Sequence, residues 1–315
     1  MPVIFPQTSL FRKLYQYTTI GMVSQEAIQR LLQKFYEILV LPVANQLPAR
    51  TRSLLIGPFG PLHDLPFQAL YDGTQFLIER FQISYLPASS LLIHLNTPPK
   101  EAAQNSVLTS PTGYKAPLIF GYAGNRTALR TLEEATLVAG LLKGSCYLEQ
   151  EATIARLIEE APGCSIIHIA THGRARLDAP HFSSVLLADG EFNAMDAFQL
   201  DVRDCQLVTL SGCETGKALI GGGDEQLGLG RAFLAAGAKS LLMSLWPVED
   251  HATDLLMQLF YQHLLDGDTK EEALRAAQCH LLHHSTSMYA HPYFWAAFRL
   301  VGDAGALPTG GSTLL

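Results

Sequence analysis

Two stretches of this 315-residue chain carry an apolar run straight into a residue that can do covalent chemistry. In 165-SIIHIATHGRA-175 the run ends at His172-Gly173, and in 207-LVTLSGCETG-216 it ends at Gly212-Cys213. A thiolate attacks carbonyl carbon, and an imidazole beside it carries the protons that such an attack displaces. Glycine next to each residue lets the backbone bend sharply and lets a substrate approach the main chain. The N–H groups of Gly173 and Cys213 could then hold a developing oxyanion, each donor contributing about 3 kcal/mol. His172 and Cys213 stand 41 positions apart. If their strands are neighbours in a parallel sheet, both side chains emerge on one rim. The same residues allow a plainer reading, a buried cysteine and a capping histidine in unrelated places.

The elements around them must supply that sheet. Short apolar runs alternate with helical patterns after residue 116. Strands are expected at 117–123, 146–148, 165–170, 207–211, 240–246 and 296–301. Helices are expected from about Thr131, where Thr131 and Glu134 form a capping box, and at 153–161, 227–236, 252–265 and 269–283. Thr269 and Glu272 give the last of these a second capping box. A hairpin turns at Asp189-Gly190 and a short helix follows near 193–199. This order argues for a mainly parallel sheet covered on both faces, with ligands beyond the carboxyl ends of its strands. Upstream, 24–40 reads as a helix capped by Ser24, and 53–57 and 82–86 as strands. Residues 97–116 are rich in Pro, Ser, Thr and Asn and mark the best internal boundary.

Composition narrows the class. Hydrophobic residues make up 48% and charged residues 16%, which builds a core rather than a disordered chain. Net charge is −7 without a basic stripe, so nucleic acid is not an expected partner. No run approaches the roughly 18 apolar residues of a membrane span, and the N-terminal residues lack a signal-peptide pattern. The five widely spaced cysteines read as free thiols of a reducing cytoplasm.

The passage 207–267 resembles the core of the CHAT family, caspase-like domains often found behind tetratricopeptide repeats. So do 168-HIATHG-173, 272-EALRAAQ-278 and 291-HPYFWAAFRLVGD-303, and 54–92 resembles the family's N-terminal subdomain. The resemblance runs from about 25 to 303. It implies an α/β caspase-like three-layer sandwich: a six-stranded, mostly parallel sheet with the last strand antiparallel. It divides the chain into an N-terminal helical segment (1–50), an N-terminal subdomain (51–110), a catalytic domain (111–305) and a flexible tail (306–315). It also implies a cysteine endopeptidase related to caspases, separases and gingipains. Carried over by motif, Cys213 is the nucleophile that forms an acyl-enzyme thioester. His172 protonates the leaving amine and then activates water. No metal or organic cofactor is called for. The substrate is a protein or peptide, and a tetratricopeptide-repeat or other regulatory protein is an expected partner, since no such repeats precede residue 50.

The sequence departs from true caspases, which have Gln-Ala-Cys where this chain has Ser211-Gly212-Cys213. Cleavage after Asp is therefore not expected. Separases place an acidic residue in a similar Leu-Trp-x-Val-x-Asp segment to receive a basic side chain. Here 245-LWPVED-250 makes Asp250 the first choice for the floor of such a pocket and Glu249 the second. The alternative is that Asp250 caps a helix beginning near Ala252. A rival to the peptidase reading is a caspase-like scaffold that acts by binding. A third is a metal-dependent hydrolase using 279-CHLLHH-284, although histidines near a helix C-terminus usually serve the dipole and solvent. His168 and His172 lie roughly 13 Å apart on a strand, too far to share a metal. Gly221-Gly222-Gly223 reads as a loop beside the site that orders on substrate or activator binding. The run 228-GLGRAF-233 lacks the tight turn of a dinucleotide site.

Overall fold

The computed structural model describes residues 24–86, 113–124, 130–174, 183–211, 228–246, 248, 250–284 and 288–308. Its centre is an eight-stranded sheet in the order β1-β2-β11-β10-β9-β5-β3-β4. The strands are β1 (Ser53–Ile56), β2 (Gln82–Tyr85), β3 (Leu118–Tyr122), β4 (Ser145–Leu148), β5 (Ile166–Thr171), β9 (Leu207–Ser211), β10 (Ser240–Ser244) and β11 (Phe298–Gly302). From β4 through β3, β5 and β9 to β10 every neighbouring pair is parallel. β11 then runs antiparallel to β10, and β2 and β1 follow β11's direction. Every residue of β5, β9 and β10 is buried. That is why these strands read as continuous apolar runs: helices cover both faces, so neither parity of side chain meets water.

Among the described residues, the longer helices are α1 (Gln25–Leu39), α2 (Arg130–Leu142), α3 (Ile154–Glu160), α4 (Gly228–Ala235), α5 (Asp250–Leu265) and α6 (Lys270–Leu282). None is long and apolar enough to cross a membrane. Ser24 caps α1 as the sequence suggests, its side chain accepting from Ala27 N–H. Thr269 and Glu272 close the capping box of α6. α2 packs on β3 and on α5, and α5 packs on α6, which reaches β2 and β11. Close approach of α2 to the sheet depends on Gly121 in β3, where a Cβ would stand 2.7 Å from Ala135 Cβ and 2.8 Å from Leu148 Cδ2.

A second, three-stranded sheet joins β6 (Gly173–Arg174), β7 (Ser184–Leu187) and β8 (Gly190–Asn193). Its β7–β8 hairpin turns at Ala188-Asp189, one residue earlier than the expected Asp189-Gly190, because Gly190, at φ +150°, already pairs with Leu187 as the first residue of β8.

Two further expectations need correcting. The main sheet has eight strands rather than six, because β1 and β2 extend it beyond β11. Antiparallel β11 offers an open edge, and three buried residues of β2, Ile83, Ser84 and Tyr85, fill it, with Tyr85 opposite Val301. The second correction concerns Thr131. It lies inside α2, which is already helical at Arg130, and Glu134 does not reach back to cap it. The Glu134 carboxylate is drawn instead to His168 Nε2, 3.1 Å away in the core.

Candidate active site

β5 and β9 are adjacent and parallel, paired from Ile166 with Leu207 to Ala170 with Ser211. Their carboxyl ends therefore open on the same rim, joined there by the end of β10. His172 follows β5 directly. Its ring is half-buried, and Nε2 is enclosed with no hydrogen-bond partner among the described residues. Ser211, the last residue of β9, likewise keeps a buried Oγ without a partner among them. Polar atoms are seldom left so in a folded interior, and a catalytic role is one of the explanations for such an atom.

The backbone beyond His172 is held by β7. Leu186 N–H donates to His172 O at 2.9 Å, and Arg174 stands opposite Ser184. In an antiparallel ladder hydrogen-bonded and non-bonded pairs alternate. Gly173 and Val185 therefore form the non-bonded pair, and the Gly173 N–H is directed away from β7. An N–H turned out of its ladder, beside a half-buried imidazole, is a donor available to a ligand.

Cys213, Glu249 and the Gly221–Gly223 loop lie outside the described residues. Asp250 is the first residue of α5, described by its backbone alone. The helix thus starts two residues before Ala252, the start that the capping alternative assumes. The segment leading to it is anchored: Trp246 is buried and its Nε1–H donates to Tyr293 O at 2.9 Å.

Beneath the rim lies a buried polar network that the sequence did not lead us to expect. His168 of β5 and Thr209 of β9 are register partners. The hydroxyl of Tyr261, from α5, sits 3.0 Å from His168 Nδ1 and 2.7 Å from Thr209 Oγ1. On the other side of the ring, His168 Nε2 approaches Glu134 Oε1 at 3.1 Å, off the N–H axis. His168 is fully buried. Burial pushes the Tyr261 phenol far above its ordinary range, so it stays protonated. A relay in one sense fits the three bridged atoms: Thr209 donating to Tyr261 and Tyr261 donating to His168 Nδ1 would leave the proton of the neutral ring on Nε2, on the Glu134 side, without a hydrogen bond to the carboxylate. The available signal was a lone polar residue inside each apolar run, four places before His172 and before Cys213.

The four described cysteines are all pushed towards the thiol form by burial. Cys164 rises to about 11 and Cys205 to about 12, while Cys146 and Cys279 rise as well. None of the four is poised as a nucleophile. In 279-CHLLHH-284, His283 is exposed and pairs with Glu79 at 3.3 Å, and the His280 and His284 ring centres lie 5.9 Å apart, tilted by 54°. No group of three or more His, Cys, Asp or Glu among the described residues is arranged to hold a metal.

The CHAT domain family profile matches residues 29–303. The chain belongs to the CHAT family. Among curated proteins, this CHAT domain is 27% identical to tetratricopeptide repeat protein 28 of Mus musculus over 335 residues, and 27% identical to that of Homo sapiens over 356. These matches cover 86% and 94% of the CHAT chain but only 13% and 14% of those proteins. Among solved structures, the CHAT domain resembles Saccharomyces cerevisiae separase in complex with securin, with a TM-score of 0.52, 13% identity and coverage of 76% of this chain and 14% of that one. It also resembles the Arg-specific cysteine proteinase gingipain R, with a TM-score of 0.54, 13% identity and coverage of 95% and 74%. The CHAT fold is thus the caspase-like fold of these proteins.

Proposed function

We propose that the chain is a cysteine endopeptidase that uses Cys213 and His172 as a dyad. The observation that carries this reading is the register of β5 with β9. Each partner in β9 stands 41 positions after its partner in β5, and 41 is also the separation of His172 and Cys213. Continued two residues past Ala170 and Ser211, the same register would set the thiol beside the imidazole at the strand spacing of roughly 4.8 Å. His172 Nε2, without a hydrogen-bond partner among the described residues, is the atom such a thiol would meet.

In this reading the Cys213 thiolate attacks the scissile carbonyl and forms a tetrahedral oxyanion. The N–H groups of Gly173 and Cys213 hold that oxygen. As the C–N bond breaks, the His172 imidazolium gives its proton to the leaving amine. The thioester is then hydrolysed by a water that His172 deprotonates. The orientation of the Gly173 N–H, away from β7, supports its part in this.

Asp250 as the floor of a pocket for a basic P1 side chain, with Glu249 second, is supported by position. The segment leaves β10 at Ser244, on the rim shared with β5 and β9, and Asp250 opens α5. A second reading, an interaction module without turnover, is favoured by one observation. The curated relatives are far longer proteins in which the matching part is a small share. In that reading, and for an enzyme that a regulatory partner must activate, a tetratricopeptide-repeat protein is the first partner to try.

The test is digestion of a diverse peptide library by the wild type, Cys213→Ala and His172→Ala, read by mass spectrometry. Cleavage by the wild type alone is expected, with Lys or Arg before the cut. Cleavage that survives Cys213→Ala overturns the dyad. Other P1 residues remove Asp250 from the pocket, and wild-type silence with or without a repeat partner leaves the binding reading.

A further inference from the structure

We propose that Tyr261 is a positioning residue for the site: its buried hydroxyl locks β5 to β9 at the His168–Thr209 pair and thereby fixes where the two strand ends meet. The proposal rests on the dyad reading above and deepens it. A backbone ladder alone sets which residues face each other, but it tolerates changes of tilt and twist between neighbouring strands. The Tyr261 oxygen adds a side-chain bridge on the sheet face, 3.0 Å from one strand's histidine and 2.7 Å from the other strand's threonine. All three side chains are fully buried, so no water can replace a lost partner. The bridge is braced from behind by Glu134 of α2 and from within α5 by the Tyr261 ring against Phe260.

Distance turns this bridge into a lever. His172 lies four residues beyond His168, and Cys213 four beyond Thr209. If the chain stays extended beyond Ser211, where β9 ends, and beyond Thr171, where β5 ends, four residues would span roughly 13 Å. A tilt of about 5° at the bridge would then move the rim by about 1 Å, a displacement that can cost around a hundredfold in a reaction between positioned groups.

The experiment measures the thiol rather than turnover. Iodoacetamide alkylation of Cys213 is followed against pH, peptide by peptide, in the wild type, His172→Ala, Tyr261→Phe, Thr209→Val and Thr209→Ser, with thermal unfolding of each. The wild type is expected to alkylate well below the ordinary thiol range, and His172→Ala to lose that profile. Tyr261→Phe and Thr209→Val should each slow Cys213 alkylation at neutral pH by about tenfold. Thr209→Ser, which keeps the hydroxyl, should retain the wild-type profile. Folded Tyr261→Phe and Thr209→Val proteins that keep the wild-type profile overturn the proposal, even if they melt earlier, and leave the dyad standing. If Tyr261→Phe does not fold, Thr209→Val decides, being of the same shape as the native residue. An ordinary wild-type thiol profile that His172→Ala does not change overturns the dyad and the lever together.

Discussion

His172 and Asp64 show how burial assigns work to single residues. The His172 nitrogen, enclosed without a partner among the described residues, is open to one, whereas Cys164 and Cys205 are held as inert thiols by the same loss of water. At about pH 7.5, iodoacetamide should therefore leave Cys164 and Cys205 unmodified until the protein is unfolded, as peptide mapping would show. Asp64 is displaced in the other direction from most carboxylates. Burial raises it from 3.8 to about 6, partly offset by the Arg299 charge. The folded protein thus holds this proton more tightly than the unfolded chain does. Its contribution is fully present below 3.8 and is lost as pH rises through about 6. Thermal unfolding between pH 4 and pH 7.5 should show a loss of stability across that window, and Asp64→Asn should flatten it. The sequence made His172 and Gly173 legible because glycine after an apolar run marks a strand end. It hid Tyr261, since a tyrosine in an amphipathic helix looks like any core aromatic until the strands beneath it are known.

Helices and strands meet here at distances set by glycine, and the neighbours decide how much each glycine matters. A Cβ at Gly121 would press on the Leu148 Cδ2 methyl in β4 and on Ala135 Cβ in α2, which is fixed to its backbone and cannot swing aside. Gly121→Ala should destabilise by about 1–3 kcal/mol in chemical denaturation. A Cβ at Gly230 of α4 would meet chiefly the Met243 Cε, 2.6 Å away at the end of a flexible side chain. Gly230→Ala should cost less than Gly121→Ala, since the thioether can move and alanine favours the helix. The order of the two costs is the check. Capping chemistry explains how well the elements could be read. Ser24 and the Thr269–Glu272 box were recognisable because their partners are local. Thr131–Glu134 had the same spelling and a different fate, because a histidine 34 positions away in sequence took the carboxylate.

Across the molecule, the segment between β1 and β2 is tied to the later elements through several buried or partly buried hydrogen bonds. Arg299 of β11 donates to His63 O at 2.6 Å, Gln68 donates to Ala296 O at 2.6 Å, and Arg275 of α6 donates to Ile78 O at 2.8 Å. A protease site engineered into residues 97–112 and cleaved should yield two pieces that still elute together on gel filtration and melt in one transition. Separation of the pieces under native conditions would refute this. The alternation of strands and helices after residue 116 was visible in sequence, but the joining of 82–86 to 296–301 was not, because nothing local records a pairing across more than 200 residues. That pairing also sets a timetable. Of the eight described strands of the main sheet β11 is the last to leave the ribosome, yet it sits third from one edge of that sheet. Until it emerges, β2 and β10 each present a bare apolar flank with no mate, and the nascent chain must be kept from finding one in another molecule.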